Sequence, residues 1–271
     1  KVRELKNEPT LQYIRDSWLM AMAEMDSKQR ATWEAIYDKK NEEFLKNPPV
    51  GKDLLRWKYQ RYVKEYCRTI RSVDEQVGRL LDYLEEKGVL DNTVIVYTSD
   101  QGFLLGEHGL YDKRFMYEES FRTPLIISCP SLVKKHSVCK ELVQNIDLAP
   151  TFLSLAGVEV PKEMSGRSLL PLFKNGKAEN WRNELYYHFY DYPAVGSVRK
   201  HDGIRTKRYK LIHWYGEGSG NDEAIDFWEL YDLKKDVMEV NNVYDNPKYV
   251  KVREALTVQL EKLRKDVGVT E

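Results

Sequence analysis

Three kinds of reactive side chain follow one apolar run in this 271-residue chain: Asp100 and Gln101, then His108 between glycines, then Lys113. The run Thr93-Val-Ile-Val-Tyr-Thr98 has the β-branched and aromatic content of a buried strand. Ser99-Asp100-Gln101-Gly102 therefore falls at a strand's carboxyl end, where open α/β sheets hold their ligands. A carboxylate and an amide carbonyl are hard oxygen donors, suited to calcium rather than to a soft or strictly tetrahedral metal. Lys113, a short way further on, adds a cation. His108, within Gly106-Glu107-His108-Gly109, reads equally as an acid, an orienting partner or a structural hydrogen bonder. His108 and Lys113 thus add a titratable base and a cation within a short reach of two oxygen donors. Glu107, Glu118, Glu119 and Arg122 read as loop-fixing charges that partner one another.

The elements that must carry these groups alternate helix and strand. Pro9 suits the first turn of a helix over Glu8 to Lys46, with Leu11, Ile14, Trp18, Met22 and Met25 at helical spacing. Asn47-Pro-Pro-Val-Gly51 breaks it. A second helix should run to Lys87, with Tyr66, Ile70, Val73, Val77, Leu80, Leu81 and Leu84 on one face and Gly88 as its carboxyl cap. The strand at Thr93 and a second at Pro124 to Ser128 fit a mainly parallel sheet covered on both faces. Asp147 is placed to cap the helix that ends at Gly157. Beyond Trp181 the pattern turns to short antiparallel strands, Leu185–Tyr190, Asp202–Trp214 and Trp228–Asp232, before a helix from Asn246-Pro247 to about Lys265. Domains are expected at residues 1–180 and 181–271.

Composition narrows the function. Lys+Arg and Asp+Glu balance at 43 each, so no net field favours nucleic acid or an anionic membrane surface. No apolar run is long enough for a bilayer span. Three cysteines without a Cys-x-x-Cys pair point to neither a disulfide framework nor a zinc site.

Ser99-Asp-Gln-Gly102, Leu105-Gly-Glu-His-Gly109 and Lys113 are followed by Arg114-Phe-Met-Tyr-Glu-Glu-Ser-Phe-Arg-Thr-Pro124. Asp147-Leu-Ala-Pro-Thr-Phe-Leu-Ser-Leu-Ala-Gly157 and Gly166-Arg-Ser-Leu-Leu-Pro-Leu172 come next. In this order they resemble the sulfatases of the alkaline-phosphatase-like superfamily, over roughly residues 62–232. The resemblance implies the distal part of a three-layer αβα sheet domain plus a smaller antiparallel subdomain with a terminal helix. It also implies that Asp100 and Gln101 bind one calcium ion, partly liganded from outside this chain. Lys113 would be catalytic and contact the sulfate, with His108 as a second catalytic candidate. Gln101 stands where related phosphatases and phosphodiesterases place a zinc-binding histidine.

The family's nucleophile is a formylglycine made from Cys or Ser in a Cys-x-Pro-Ser-x-Arg-like motif, and no such motif occurs here. Ser128-Cys-Pro-Ser-Leu132 imitates its first positions but has Leu132 where an arginine belongs. The expectation is a carboxyl-terminal portion whose nucleophile and amino-terminal partner segment lie elsewhere. His201-Asp-Gly-Ile-Arg-Thr-Lys-Arg-Tyr-Lys-Leu-Ile212 resembles the N-acetylglucosamine-6-sulfatase branch, making His201 and Arg205 candidate contacts for a sulfated carbohydrate. A metal-dependent phosphoester hydrolase and a non-catalytic glycan-binding remnant are the alternatives. No Asn-x-Ser/Thr acceptor is present, which favours a bacterial enzyme exported to the periplasm or beyond, with the lysosome as the eukaryotic counterpart.

Overall fold

The computed structural model describes residues 20, 22–111, 113–193, 198–218 and 223–269. Packing separates two compact units, Lys1–Leu80 and Leu81–Glu271, with the division inside a long helix.

In the first unit, α1 (Ser27–Lys46) begins at Asp26. The Asp26 carboxylate accepts the Lys28 and Gln29 amides, both at 2.8 Å, and the Gln29 side chain accepts the Asp26 amide at 3.0 Å. This capping box starts a new helix, so the single helix expected from Glu8 is interrupted after residue 24. Pro9, Leu11, Ile14 and Trp18 lie outside the described residues. After the proline break, α2 spans Gly51–Glu86, and Gly88 follows at φ 66° as expected of a carboxyl cap. Phe44 of α1 stacks on Trp57 of α2, and the Tyr37 hydroxyl donates to Glu65. On the anticipated apolar face, Ile70 and Val73 remain 49% and 46% exposed.

In the second unit, β1 (Ile95–Thr98) and β2 (Leu125–Ser128) pair antiparallel, Ile95 opposite Ser128 and Thr98 opposite Leu125. The expected parallel pairing does not form between these two. A parallel return needs a crossover that carries the chain back to the strand's starting end; here the connection, with its four-residue helix α3 (Glu118–Phe121), turns back at the same end. Leu125 and Ile127 of β2 pack on Leu169, Leu172 and Phe173 at α5 (Leu170–Phe173), joined there by Leu148 and Leu155 of α4 (Leu148–Leu155).

Four strands, β3 (Glu184–Phe189), β4 (His201–Thr206), β5 (Tyr209–Gly216) and β6 (Ile225–Asp232), form an antiparallel sheet in sequence order; antiparallel pairing was expected, and the middle of the three expected stretches divides into β4 and β5. Alternation gives it two working faces. Leu211 and Leu230 join Ile204 against Leu256 and Leu260 of α6 (Val250–Asp266). Ile212, Trp214 and Tyr231 face the other way, against Phe115, Met116 and Tyr117. The sheet is thus held between the terminal helix and the segment that leads out of the Lys113 region. Residue 181, the expected domain boundary, falls inside this unit just before β3.

Candidate functional site

At the end of β1 the chain turns through Ser99-Asp100-Gln101-Gly102. Ser99 Oγ donates to the Gln101 carbonyl at 2.8 Å, and Asn145 Nδ2 donates to the carbonyls of Asp100 (2.8 Å) and Ser99 (3.2 Å). The backbone is therefore fixed while the Asp100 side chain stays exposed and Gln101 half-buried. Gly102 donates to the Ser120 carbonyl at 2.8 Å, and a Cβ there would lie 2.1 Å from the Glu119 carbonyl oxygen. Only glycine lets the turn touch α3 so closely. Asn145 escaped the sequence reading, although it sits two residues before the Asp147 block.

The loop after the turn is tight. Gly106 donates to the Leu110 carbonyl at 2.9 Å, and the Glu107 carboxylate accepts the Leu105 amide at 2.6 Å. His108 sits at φ 54°, a left-handed conformation costing about 1–2 kcal/mol for a residue with a side chain. Its ring stacks on Tyr117 with centroids 4.2 Å apart, and Nε2 lies 3.6 Å from Glu119 Oε2. Burial, with Glu229 adding to it, pushes the Tyr117 hydroxyl pKa far up, so the phenol stays neutral. These contacts make His108 a packed element of the loop wall.

Beneath this wall lies a charged cluster that joins Glu118 and Arg205 to Lys210 and Glu239, two residues the sequence did not single out. Lys210 on β5, fully buried, donates from Nζ to the Met116 carbonyl at 2.7 Å and lies 3.0 Å from Glu118 Oε1 and 2.7 Å from Glu239 Oε1. Glu239 also accepts the Glu118 amide at 2.7 Å. Arg205 on β4 meets both Glu118 oxygens, at 3.3 and 3.2 Å. Burial pushes the Glu118 carboxyl up, but Lys210 and Arg205 outweigh it and hold the pKa below the ordinary value; for Glu239 burial wins and the pKa is raised. Glu118 thus finds its partners on the sheet, not among its loop neighbours.

Asp100, Gln101, Lys113, Arg114, Glu118 and Arg205 line one open cleft of about 1180 Å³. The structure thereby brings four residues singled out in the sequence (Asp100, Gln101, Lys113 and Arg205) to a common surface. His108 and His201 are not in that lining. His201 is fully buried: its ring stacks on Trp214 at 4.1 Å, and Nδ1 lies 2.9 Å from the Arg199 carbonyl. Burial lowers its pKa to about 4. Its Nε2 is buried as well and meets no hydrogen-bond partner among the described residues. Tyr186 and Arg264 similarly enclose Asp202, at 3.1 and 2.8 Å.

The Asp147 side chain does not form the helix cap expected of it. Its carboxylate makes no hydrogen bond to α4; it is fully buried and accepts the Gln144 amide, the Arg167 amide and the Arg182 guanidinium. It braces the cleft wall at Asn145 from behind.

Among the described residues, no group of three His, Cys, Asp or Glu side chains converges as a metal site. The cleft instead offers the Asp100 carboxylate and the Gln101 amide, a donor pair that fits a hard divalent cation completed by further ligands. No described helix is long and apolar enough to cross a membrane.

An α/β frame with oxygen donors at a strand end and cations across a cleft is the arrangement of the alkaline-phosphatase-like superfamily, and the comparisons agree. The sulfatase family model matches residues 22–158, and that of the N-sulphoglucosamine sulphohydrolase carboxyl-terminal region matches residues 106–266. This chain belongs to the sulfatase family. It is 49% identical over 243 residues to the N-acetylglucosamine-6-O-sulfatase of Bacteroides thetaiotaomicron, covering 89% of this chain and 42% of that protein. It is 35% identical over 196 residues to the multifunctional alkaline phosphatase superfamily protein PehA of Trinickia caryophylli, covering 68% and 36%. A solved structure of a protein in complex with its substrate D-glucosamine-2-N,6-O-disulfate superimposes with a TM-score of 0.87 at 45% identity, covering 98% of this chain and 53% of that one. The chain spans about half or less of the length of these relatives.

Proposed function

We propose that the protein carrying this chain is a sulfuric ester hydrolase that acts on sulfated sugars, with the 6-sulfate of N-acetylglucosamine as the preferred ester. The observation that carries this reading is the gathering of Asp100, Gln101 and Lys113 at one cleft in a chain 49% identical to an N-acetylglucosamine-6-O-sulfatase. Asp100 and Gln101 would hold one calcium ion, with further ligands from residues outside these 271. A cation held there would supply charge neutralisation for the sulfate; the formylglycine nucleophile that the family uses is not among these residues. Lys113 would contact a sulfate oxygen and stabilise the alkoxide as the S–O bond breaks. Water supplies the net proton and hydroxyl, so products are the sugar alcohol and hydrogen sulfate. Arg205, whose side chain is tied to Glu118, would present its outer edge to the sugar. His201 would shape the sheet beneath the sugar rather than touch it. Export to the periplasm or beyond belongs to the same reading.

Sulfate release from N-acetylglucosamine-6-sulfate tests it directly. Lys113→Ala should reduce kcat/KM by about a hundredfold or more, and removing calcium should abolish turnover that added calcium restores. A second reading, phosphoester hydrolysis, draws on the 35% identity to PehA. Restoration by zinc, with phosphate esters preferred to sulfate esters, would favour it.

A further inference from the structure

The Asp100–Gly102 turn and the His108 loop follow one another closely in the chain, and both rest on residues 116–121. Gly102 hydrogen-bonds to the Ser120 carbonyl, His108 stacks on Tyr117, and Glu119 lies beside the His108 ring. That segment is itself short: α3 has only four residues, too few for a stable helix on its own. Its hold comes from below. Lys210 takes the Met116 carbonyl, Glu239 takes the Glu118 amide, and the Glu118 carboxylate is shared by Lys210 and Arg205. Gly203, on the neighbouring strand, leaves space for Met116, whose sulfur would lie 2.5 Å from a Cβ there.

We infer that Lys210, acting with Glu239, is a positioning residue: it fixes residues 116–118 to the carboxyl-terminal sheet and through them sets the Asp100–Gln101 turn and the His108 loop. Lys210 touches neither substrate nor metal in this role. A lysine buried to this degree costs its desolvation wherever it stands. The sheet and terminal helix could pack with an apolar residue at 210, whereas residues 116–118 would lose their anchor. The catalytic part of this inference rests on the proposed sulfatase reading; the mechanical part does not.

The test uses the native protein carrying this sequence. Lys210→Met alone leaves Glu239 buried without its cation and can fail to fold, so the deciding variant is Lys210→Met with Glu239→Leu, which removes both charges. In that folded double variant the amides of Gly102 and of residues 120–122, whose acceptors the mutations leave in place, should exchange with solvent at least about tenfold faster, while those of β5 and β6 keep their wild-type rates. With N-acetylglucosamine-6-sulfate, kcat should fall about tenfold or more while KM moves less than about threefold, as displaced catalytic groups require. Unchanged exchange at Gly102 and residues 120–122, or faster exchange spread evenly over the sheet, would overturn the inference. If the wild-type protein releases no sulfate, the sulfatase reading falls and the exchange rates alone decide the role of Lys210.

Discussion

Ion pairs in the first unit and in the second use the same side chains at similar distances to different ends. Arg30–Glu34 on α1 and Arg71–Glu75 on α2 both close at 2.9 Å, but their side chains are 43% to 81% exposed. Lys210–Glu239 closes at 2.7 Å and Arg264–Asp202 at 2.8 Å, with both Lys210 and Glu239 fully buried and Arg264 14% exposed. Exposed pairs gain little over their hydration and are screened by salt, whereas a buried pair broken on one side strands a charge in a poor solvent. The α1–α2 pairs follow the helical i,i+4 rule and decorate a surface. Lys210–Glu239 and Arg264–Asp202 join residues far apart in sequence, and the first of them lies beneath the cleft.

The sharpest way to break this contrast is at Asp147. Asp147→Ala strands the Arg182 guanidinium, only 10% exposed, and two backbone amides. The expected loss is about 3–5 kcal/mol of unfolding free energy, read from urea denaturation. A loss below about 1 kcal/mol would put this buried pair on the footing of an exposed one.

How much of this could be read from the sequence follows the same division. Asp100, Gln101 and Lys113 could be read as a group because they stand close in sequence, at the end of β1 and just beyond the glycine loop. The paired helices and the antiparallel strands were legible from periodicity and breaks. Lys210 was not, because Lys-Arg-Tyr-Lys within a strand gives only a parity: which face is buried depends on segment 115–117 docking there, and the main partner Glu239 lies outside the hairpin. Asp147 suggested a cap because local spacing is blind to Arg182, 35 residues on. His201 suggested a sugar contact because an aromatic, hydrogen-bonding strand has the same composition whether a ligand or Phe115, Tyr187 and Trp214 cover it.

His201 supplies the next prediction. Burial lowers its folded pKa to about 4 from 6.5, so between those values the unfolded chain binds the proton that the folded chain refuses. The stability this residue contributes is complete above pH 6.5 and is lost as pH falls towards 4, by about 3 kcal/mol in all. Comparing wild type with His201→Phe by denaturation across that window isolates the effect: the variant should lose about 3 kcal/mol less on acidification. Equal losses would mean that the imidazole is hydrated and open to a ligand after all.

A smaller effect separates a polar bond at the same sheet from its ion pair. Tyr186→Phe removes one hydroxyl bond to Asp202 while leaving Arg264 in place. The expected cost is about 1.5 kcal/mol, measured at neutral pH. A cost near that of Asp147→Ala would show that the neutral donor, not the guanidinium, is what keeps Asp202 tolerable inside.

The smallest change should come from Glu34→Gln on α1. The pair with Arg30 is formed across one helical turn, both groups are about half exposed, and water replaces whatever the mutation removes. An exposed i,i+4 pair stabilises a helix by about 0.3–0.5 kcal/mol, and raising the salt from about 0.1 M to 1 M, which shortens the screening length to about 3 Å, should erase even that difference. The same salt step applied to Asp147→Ala should leave its deficit nearly intact, because no counter-ion enters the space that the carboxylate occupied. If both deficits shrink in parallel, burial is not what distinguishes the two regions, and the anchoring ascribed to the charges beneath the cleft loses its physical basis.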